Sequence, residues 1–188
     1  MCYTSNRTER RYRSGRELRS MDAEKFTKKS LEVIENCEKL AYEYNNQELV
    51  QAHLLYSLLT VEDSLVAKLL TNRGINLDAF QSECEKLVAN RPKVSGGQLF
   101  TSPEFSKALI QAEKESKQMG DDYISVEHIF LGLLEKPDKD IKRVMNAYGI
   151  TRGKFLEVLA NIRGNRKVES DNPEDTYDAL NKYGYNLV

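Results

Sequence analysis

Few residues in this 188-residue chain have the types and spacing that catalysis or metal binding requires. The two histidines, His53 and His128, would need two or three further ligands at helical spacing to hold a metal ion. Neither lies near a glycine-flanked nucleophile, so a Ser/His/Asp or Cys/His arrangement has no local support. The sequence also has no P-loop or G-x-G-x-x-G phosphate-binding motif. We therefore predict that this segment is not an enzyme, and that both histidines have structural roles near helix starts.

The most suggestive polar group is an acidic cluster formed by Asp121, Asp122 and Glu127. Ser125 is a good N-cap for the apolar segment that follows, and a carboxylate at Glu127 would complement the dipole of that helix. The functional alternative is an anionic rim beside an exposed Tyr123. Ala52 occupies the position equivalent to Glu127 in the internal repeat, so the fold does not require the charge. That asymmetry favours a binding site.

Helices must position these residues, because the apolar pattern between Thr27 and Gly164 is helical and never alternates long enough for a sheet. The pattern also repeats at an offset of 75 residues, the separation of His53 and His128. Other residues that match at this offset are Leu58 with Leu133, Asp63 with Asp138, Gly74 with Gly149, and Phe80 with Phe155. We predict an all-α fold, a duplicated four-helix repeat of eight helices whose halves pack about a pseudo-twofold axis.

Cap and stop residues divide the pattern into helices. The predicted N-caps are Asp63, Asn76, Ser102, Ser125, Asp138 and Thr151. The predicted stops are Gly74, Gly120, Gly149 and Gly164. The second helix of each repeat is apolar nearly all round, which indicates a central position.

The predicted organisation has five parts: a disordered Arg-rich extension at 1–25, repeat 1 at 26–91, a linker at 92–100, repeat 2 at 101–164, and a linker at 165–188. The first twenty residues carry six arginines and two glutamates. Such an arm could also be a nucleic-acid tail or an organelle transit segment. The tail ends abruptly, and we expect it to lead into a further module.

Composition limits the function classes. Twenty-eight basic and 29 acidic residues give a net charge of -1, which argues against a dedicated nucleic-acid binder. No apolar run has the roughly 20 residues that span a bilayer, and no signal peptide is evident. The three cysteines are too few and too widely spaced for a disulfide framework and fit a reducing compartment. We expect a soluble, cytoplasmic protein without membrane or nucleic-acid partners.

Three stretches add a resemblance to these patterns: FTKKSLEVIENCEKLAYEY in repeat 1, DDYISVEHIFLGLL in repeat 2 and NPEDTYDALNKYGYNL at the end. In this order they resemble the Clp amino-terminal domain, most closely that of the ClpB family of ATP-dependent protein disaggregases. The resemblance covers 26–188. It implies a substrate-recruiting domain without its AAA+ motor. It also implies no cofactor in this segment, since ATP and Mg²⁺ would bind the absent modules, and a monomeric fragment, since those modules would form the hexamer.

The resemblance also implies partners and a site. The partners would be unfolded or aggregated protein segments, and adaptor or co-chaperone proteins. Residues carried over to the substrate groove are Thr27, Asp121 and Glu127. For the apolar and aromatic lining we predict Tyr123, Leu109 and His128. Two alternatives stay open: an adaptor-docking domain of a protease-coupled Clp unfoldase, or a free-standing regulatory protein with a basic arm.

Overall fold

The computed structural model describes residues 23–173, so the predictions for 1–22 and 174–188 lie outside the described residues. Within this range eight α-helices follow a 3-10 turn at Ala23–Lys25. Repeat 1 contains α1 (Lys28–Glu43), α2 (Gln51–Thr60), α3 (Leu65–Asn72) and α4 (Leu77–Ala89). Repeat 2 contains α5 (Pro103–Gln118), α6 (Val126–Glu135), α7 (Lys139–Ala147) and α8 (Arg152–Arg163). Two short strands, β1 (Glu48–Leu49) and β2 (Phe100–Thr101), complete the described fold.

Side-chain caps start most of the helices where the sequence predicts them. The side chains of Asn76, Ser102, Asp138 and Thr151 each accept a hydrogen bond from the backbone N–H three residues later. The prediction for Asp63 is wrong, because the Ser64 hydroxyl caps α3 instead. Asp63 takes up the left-handed conformation that turns the chain out of α2, with φ 53°, and aspartate tolerates that conformation better than most residues.

The contacts between helices follow a pseudo-twofold axis. Helix α2 packs against α6 at the centre, and the other main helix contacts across the halves occur in equivalent pairs. Helix α1 contacts α6 as α5 contacts α2, α3 contacts α6 as α7 contacts α2, and α3 contacts α8 as α7 contacts α4. The predicted duplicated all-α architecture is therefore confirmed.

The two halves also exchange backbone hydrogen bonds. Leu49 pairs in parallel with Thr101 in the β1–β2 sheet, and Phe26 pairs in parallel with Ile124. The two pairings are equivalent, because Phe26 and Thr101, and likewise Leu49 and Ile124, differ by 75 positions. In each pairing, the segment before the first helix of one repeat is bonded to the loop before the second helix of the other.

The central helices supply much of the shared core. Leu58 on α2 and Leu133 on α6 have no exposed surface, as their predicted central position requires. Cys37 and Cys84 are buried free thiols within the same core.

The side chain of Gln51 joins the two halves by hydrogen bonds across their interface. Its amide nitrogen donates to the carbonyl oxygens of Glu104, at 2.9 Å, and Lys136, at 2.7 Å. Its amide oxygen accepts from the N–H of Asp138 at 2.8 Å. A buried amide with three partners from the opposite repeat fixes how the halves dock, since any slip leaves a polar group unpaired.

We predict opposite effects for two glycine substitutions in repeat 2. A Cβ at Gly132 would overlap the carbonyl oxygen of Ala108 on α5, whereas a Cβ at Gly153 meets nothing within 4 Å. Gly132→Ala should therefore destabilise the domain by about 1–3 kcal/mol or more, because two helix backbones must separate. Gly153→Ala should be neutral or stabilise by less than about 1 kcal/mol. Urea unfolding of both variants checks this, and equal midpoints would contradict the close α5–α6 packing.

Candidate functional site

Both histidines bind the backbone at the start of a central helix in the same way. The N–H of Val50 donates to Nδ1 of His53 at 3.0 Å, and the N–H of Ser125 donates to Nδ1 of His128 at 2.9 Å. Each Nδ1 is thus an acceptor, which assigns the proton to Nε2. His53 Nε2 lies 2.8 Å from Oδ1 of Asn46. Their shared geometry supports the predicted structural role.

Ser125, His128 and Asp121 nevertheless form a line of hydrogen bonds that the sequence did not suggest. Ser125 Oγ lies 3.0 Å from His128 Nδ1, and His128 Nε2 lies 2.7 Å from Asp121 Oδ2. Ser125 and His128 have no exposed surface, so no substrate carbonyl can reach the hydroxyl. The equivalent histidine in repeat 1, His53, makes the same backbone hydrogen bond although Val50 stands at the position of the serine. The line therefore closes a helix start and is not a nucleophile site.

Asp121 is the most highly connected residue of the acidic cluster. Besides His128, its carboxylate accepts hydrogen bonds from Arg163 Nη2 at the end of α8 and from the N–H of Val168 at 3.1 Å. Burial alone would raise the pKa of Asp121, but these three donors hold it at about 2. One carboxylate thus ties the start of α6, the end of α8 and the segment after α8 together.

Glu127 is also fully buried, but it lacks such partners. Neither carboxylate oxygen has a hydrogen bond within residues 23–173. Arg163 Nη1 lies 3.9 Å from Oε1 and is a cation close enough to compensate part of the charge. Burying a carboxylate without hydrogen-bond donors is costly, and evolution normally avoids it.

Repeat 1 shows that the bundle does not need these charges. Asp121, Glu127 and Arg163 correspond at the 75-residue offset to Asn46, Ala52 and Val88. Ala52 and Val88 lie in one buried apolar cluster with Val50. Repeat 2 thus carries a cluster of two acidic residues and one arginine where repeat 1 has apolar contacts and one amide. Arg163 was missed by the sequence analysis, although its offset partner Val88 marks the same difference.

Thr27 lies beside the loop that carries the acidic residues. Its N–H donates to the carbonyl oxygen of Ile124 at 3.0 Å. Its hydroxyl accepts from the N–H of Ser30 at 3.2 Å and donates to the hydroxyl of Ser30 at 3.0 Å, capping α1. Thr27 has no exposed surface, so its side chain serves the helix start in this conformation.

The residues expected to line a groove differ in exposure. Leu109 on α5 is 1% exposed and belongs to the core. Tyr123 is partly buried, so of the six predicted site residues it has the most accessible side chain. The expected anionic rim is thus an internal ionic cluster at Asp121 and Glu127, and the role of these six residues in substrate binding stays a prediction.

Residues 164–171, which we call the strap, cover the loop at residues 119–125. This loop carries Asp121 and Asp122 and is called the acidic loop below. The N–H of Asp122 donates to the carbonyl oxygen of Val168 at 2.9 Å, and the N–H of Lys28 donates to the carbonyl oxygen of Asp171 at 2.7 Å. Lys167 Nζ donates to the carbonyl oxygen of Met119. Val168 has no exposed surface. The strap thus rests on the candidate site with one apolar side chain inserted.

Fold and site together define an all-helical duplicated domain whose polar centre binds its own segments. In the described part of the chain, no three His, Cys, Asp or Glu side chains form a possible metal site. Across residues 23–173, no helix has the length and apolar character that crossing a bilayer requires.

The chain belongs to the Clp repeat (R) N-terminal domain family, which matches residues 25–148. It is similar to the chaperone protein ClpB of Nitratidesulfovibrio vulgaris, with 40% identity over 174 residues, and of Clostridium tetani, with 38% over 173 residues. Each match covers 89% of this chain and 20% of the relative, so the chain spans about a fifth of their length.

Solved structures show the same fold. The Hsp104 N-terminal domain from Candida albicans has a TM-score of 0.71 at 21% identity, covering 79% of this chain and 98% of that one. The ClpV N-domain in complex with a VipB peptide has a TM-score of 0.59 at 22% identity, covering 78% of this chain and 91% of that one. These structures confirm the predicted Clp N-domain fold. Membership of the Clp N-terminal domain family confirms the prediction that this segment is not an enzyme.

His53 predicts a loss of stability in mild acid. Burial lowers the pKa of His53 from 6.5 to about 4, so the folded protein favours the neutral ring. Because the unfolded chain gains the proton first, stability is complete above pH 6.5 and falls by about 3 kcal/mol towards pH 4. Protonation of Asp121 lowers the stability only at still lower pH, because its pKa of about 2 lies under its usual value of 3.8.

Urea unfolding between pH 7 and pH 4 checks this, with His53→Gln as the comparison. Glutamine can accept from Val50 and donate to Asn46 without titrating, so its pH slope should be much flatter. Equal slopes in parent and variant would show that another group causes the acid sensitivity.

Copying repeat 1 into repeat 2 should remove the ionic cluster without unfolding the domain. The triple variant Asp121→Asn, Glu127→Ala and Arg163→Val recreates the residues at 46, 52 and 88. It should be at least as stable as the parent, because replacing buried ion pairs by packed apolar groups is often neutral or stabilising. Arg163→Val alone should cost about 3–5 kcal/mol, since it leaves two carboxylates buried without their cation. Thermal and urea melts measure the stability of both variants, and a triple variant clearly less stable than the parent would reject the idea that the charges are dispensable for folding.

Proposed function

We propose that this domain recruits unfolded or aggregated protein segments for a ClpB-type disaggregase by binding short apolar stretches flanked by basic residues. The proposed binding site is the acidic loop of repeat 2 with Thr27, Asp121, Tyr123 and Glu127, which a client would reach only when the strap has left. Leu109 and His128 support it from within the core. The wider protein would supply the ATP-driven motor, with ATP and Mg²⁺ bound in modules outside this chain.

The observation that carries this proposal is the strap, which is a bound peptide segment within the chain itself. Its central Val168 is buried, and both the N–H and the carbonyl oxygen of that residue are hydrogen-bonded to the acidic loop. Arg166 and Lys167 precede the valine and Glu169 follows it, so the occupant is an apolar residue with basic residues on its amino-terminal side. An incoming chain of the same chemistry can replace these backbone bonds one for one.

The buried carboxylates explain the preference for basic neighbours. Asp121 already accepts three hydrogen bonds, whereas the oxygens of Glu127 accept none within residues 23–173. A Lys or Arg of the client, entering as the strap leaves, would give Glu127 a hydrogen-bonded partner. That new bond is what a client gains beyond the contacts of the strap, because the strap does not hydrogen-bond Glu127.

Competition with the strap also sets the strength of binding. The client binds only the fraction of molecules in which the strap has left, so its apparent affinity falls by that fraction. A flexible client also loses conformational entropy on binding. We therefore expect weak capture, micromolar or poorer, which suits a module that must release its cargo.

A related domain supports this kind of ligand. The structural neighbour ClpV N-domain is described in complex with a VipB peptide. Peptide capture by the same fold is thus compatible with its architecture. The surfaces need not coincide, since the two chains share 22% identity.

Two substitutions with opposite expected effects test the proposal. Glu127→Gln keeps shape but removes the charge, and should weaken binding of a fluorescein-labelled peptide of Leu, Val and Phe flanked by arginines by about tenfold. Val168→Ala loosens the strap and should strengthen the same binding several-fold. Fluorescence anisotropy with the whole chain measures both, and Glu83→Gln, an exposed acid on α4, is the matched control.

Amide shifts in an NMR titration should cluster at residues 121–127 and 163–171. Shifts elsewhere, or equal affinities for the Glu127 and Glu83 variants, would overturn this site. Melting curves separate loss of binding from loss of fold. Asp121→Ala is a poor test, because it would leave three buried donors without an acceptor and should destabilise the fold.

A further inference from the structure

A shallow groove lies at the interface between the repeats, where the end of α3 meets the start of α8. Its apolar walls come from Leu69, Leu70, Ile75, Ile150, Phe155 and Val158. Arg73 and Lys154 border it. The groove is shallow and open to solvent, so an occupant would rest against its walls rather than fill an enclosed cavity.

The equivalent place across the pseudo-twofold axis is filled by an aromatic ring. Tyr148 and Phe80 correspond to Arg73 and Phe155 at the 75-residue offset. The rings of Tyr148 and Phe80 pack edge to face, with centroids 5.0 Å apart and an interplanar angle of 65°. Where repeat 2 supplies its own tyrosine, repeat 1 has an arginine, and the groove remains.

We propose that this groove binds an aromatic side chain, tyrosine or phenylalanine, of a partner polypeptide that carries an acidic residue beside it. The fold itself shows the mode of binding, because Tyr148 occupies the corresponding position on the opposite side. The partner's ring takes that place against the walls around Phe155. Edge-to-face packing and apolar burial supply the attraction.

The charges around the groove select the acidic neighbour. Position 154 is lysine where the equivalent position 79 is alanine, and Arg73 stands in place of Tyr148. Val158 replaces Glu83 while Glu157 replaces Ser82, so this side has gained two cations with no change in the number of acids. The guanidinium of Arg73 lies 3.7 Å from the Glu157 carboxylate, with the two side chains 39% and 70% exposed. A pair so exposed exchanges partners at little cost, so Arg73 can turn to a partner carboxylate or stack on the ring.

This groove is separate from the ionic cluster. Phe155 and Arg163 are eight residues apart on α8, about 12 Å along the helix axis. The two sites also have opposite charge preferences, since the strap region favours basic neighbours. Binding here neither depends on the proposed function nor fails with it.

The test uses NMR titration of the whole chain with acetyl-Asp-Tyr-Asp-amide. Shifts should concentrate on the amides of Ile75, Ile150 and Val158. Replacing the tyrosine of the peptide by alanine should weaken binding at least tenfold, and replacing its aspartates by lysine several-fold. Equal binding of the alanine peptide, or shifts at other residues, would overturn the proposal.

Arg73→Tyr should close the groove from within, as Tyr148 does in the other half. We expect this variant to lose binding and to melt at a higher temperature, while Arg143→Tyr, an exposed position on α7, keeps parental binding. Lys154→Ala, which copies position 79, should weaken binding several-fold without unfolding and keeps the test decisive if Arg73→Tyr folds poorly. Unchanged affinity in a folded Arg73→Tyr variant would reject the groove, whereas Glu127→Gln should bind this peptide normally.

Discussion

The rest of the structure depends on one constraint: a four-helix unit of about 65 residues buries only a marginal core by itself. Each repeat therefore uses the other as the wall of its core. The two central helices, α2 and α6, lie against each other and are almost fully enclosed. The backbone pairings of Leu49 with Thr101 and of Phe26 with Ile124 join each repeat to the entry segment of the other. Folding and docking of the halves are thus one event, and Gln51 fixes their register.

Duplication of this kind separates residues that maintain the fold from residues that have another use. Whatever both halves share, such as the His53 and His128 caps, is explained by helix starts. Whatever only one half has must be explained separately. The ionic cluster of Asp121, Glu127 and Arg163 is one such difference, and Arg73 in place of a tyrosine is another. Both differences lie at places where an apolar residue would serve stability better, which is why we assign binding to them.

The sequence predicts the architecture well because its signals are local. The caps Asn76 and Thr151 act over three residues, and Gly74 and Gly149 adopt positive φ, 86° and 64°, as helix stops. It fails where the deciding contact is distant. The pairing of Arg163 with Asp121 spans 42 residues, and no local pattern announces it. Ser64 caps α3 instead of Asp63, because Asp63 takes the left-handed conformation of the preceding turn. The position of that turn depends on how α2 and α3 pack.

The candidate site was the part least accessible to sequence, for a physical reason. An acidic cluster in a sequence suggests a solvated rim, because exposed charges cost little. Here the charges are inside, and Asp121 stays ionised through three hydrogen-bond donors. A buried carboxylate has no water to solvate it before a ligand binds. It must therefore be partly paired and covered by the protein itself. The strap provides that cover, and Arg163 the partial pairing. Under the proposed function, a buried charge makes binding an exchange of occupants, and the weak affinity that we expect follows from how the site is kept stable when no client is bound.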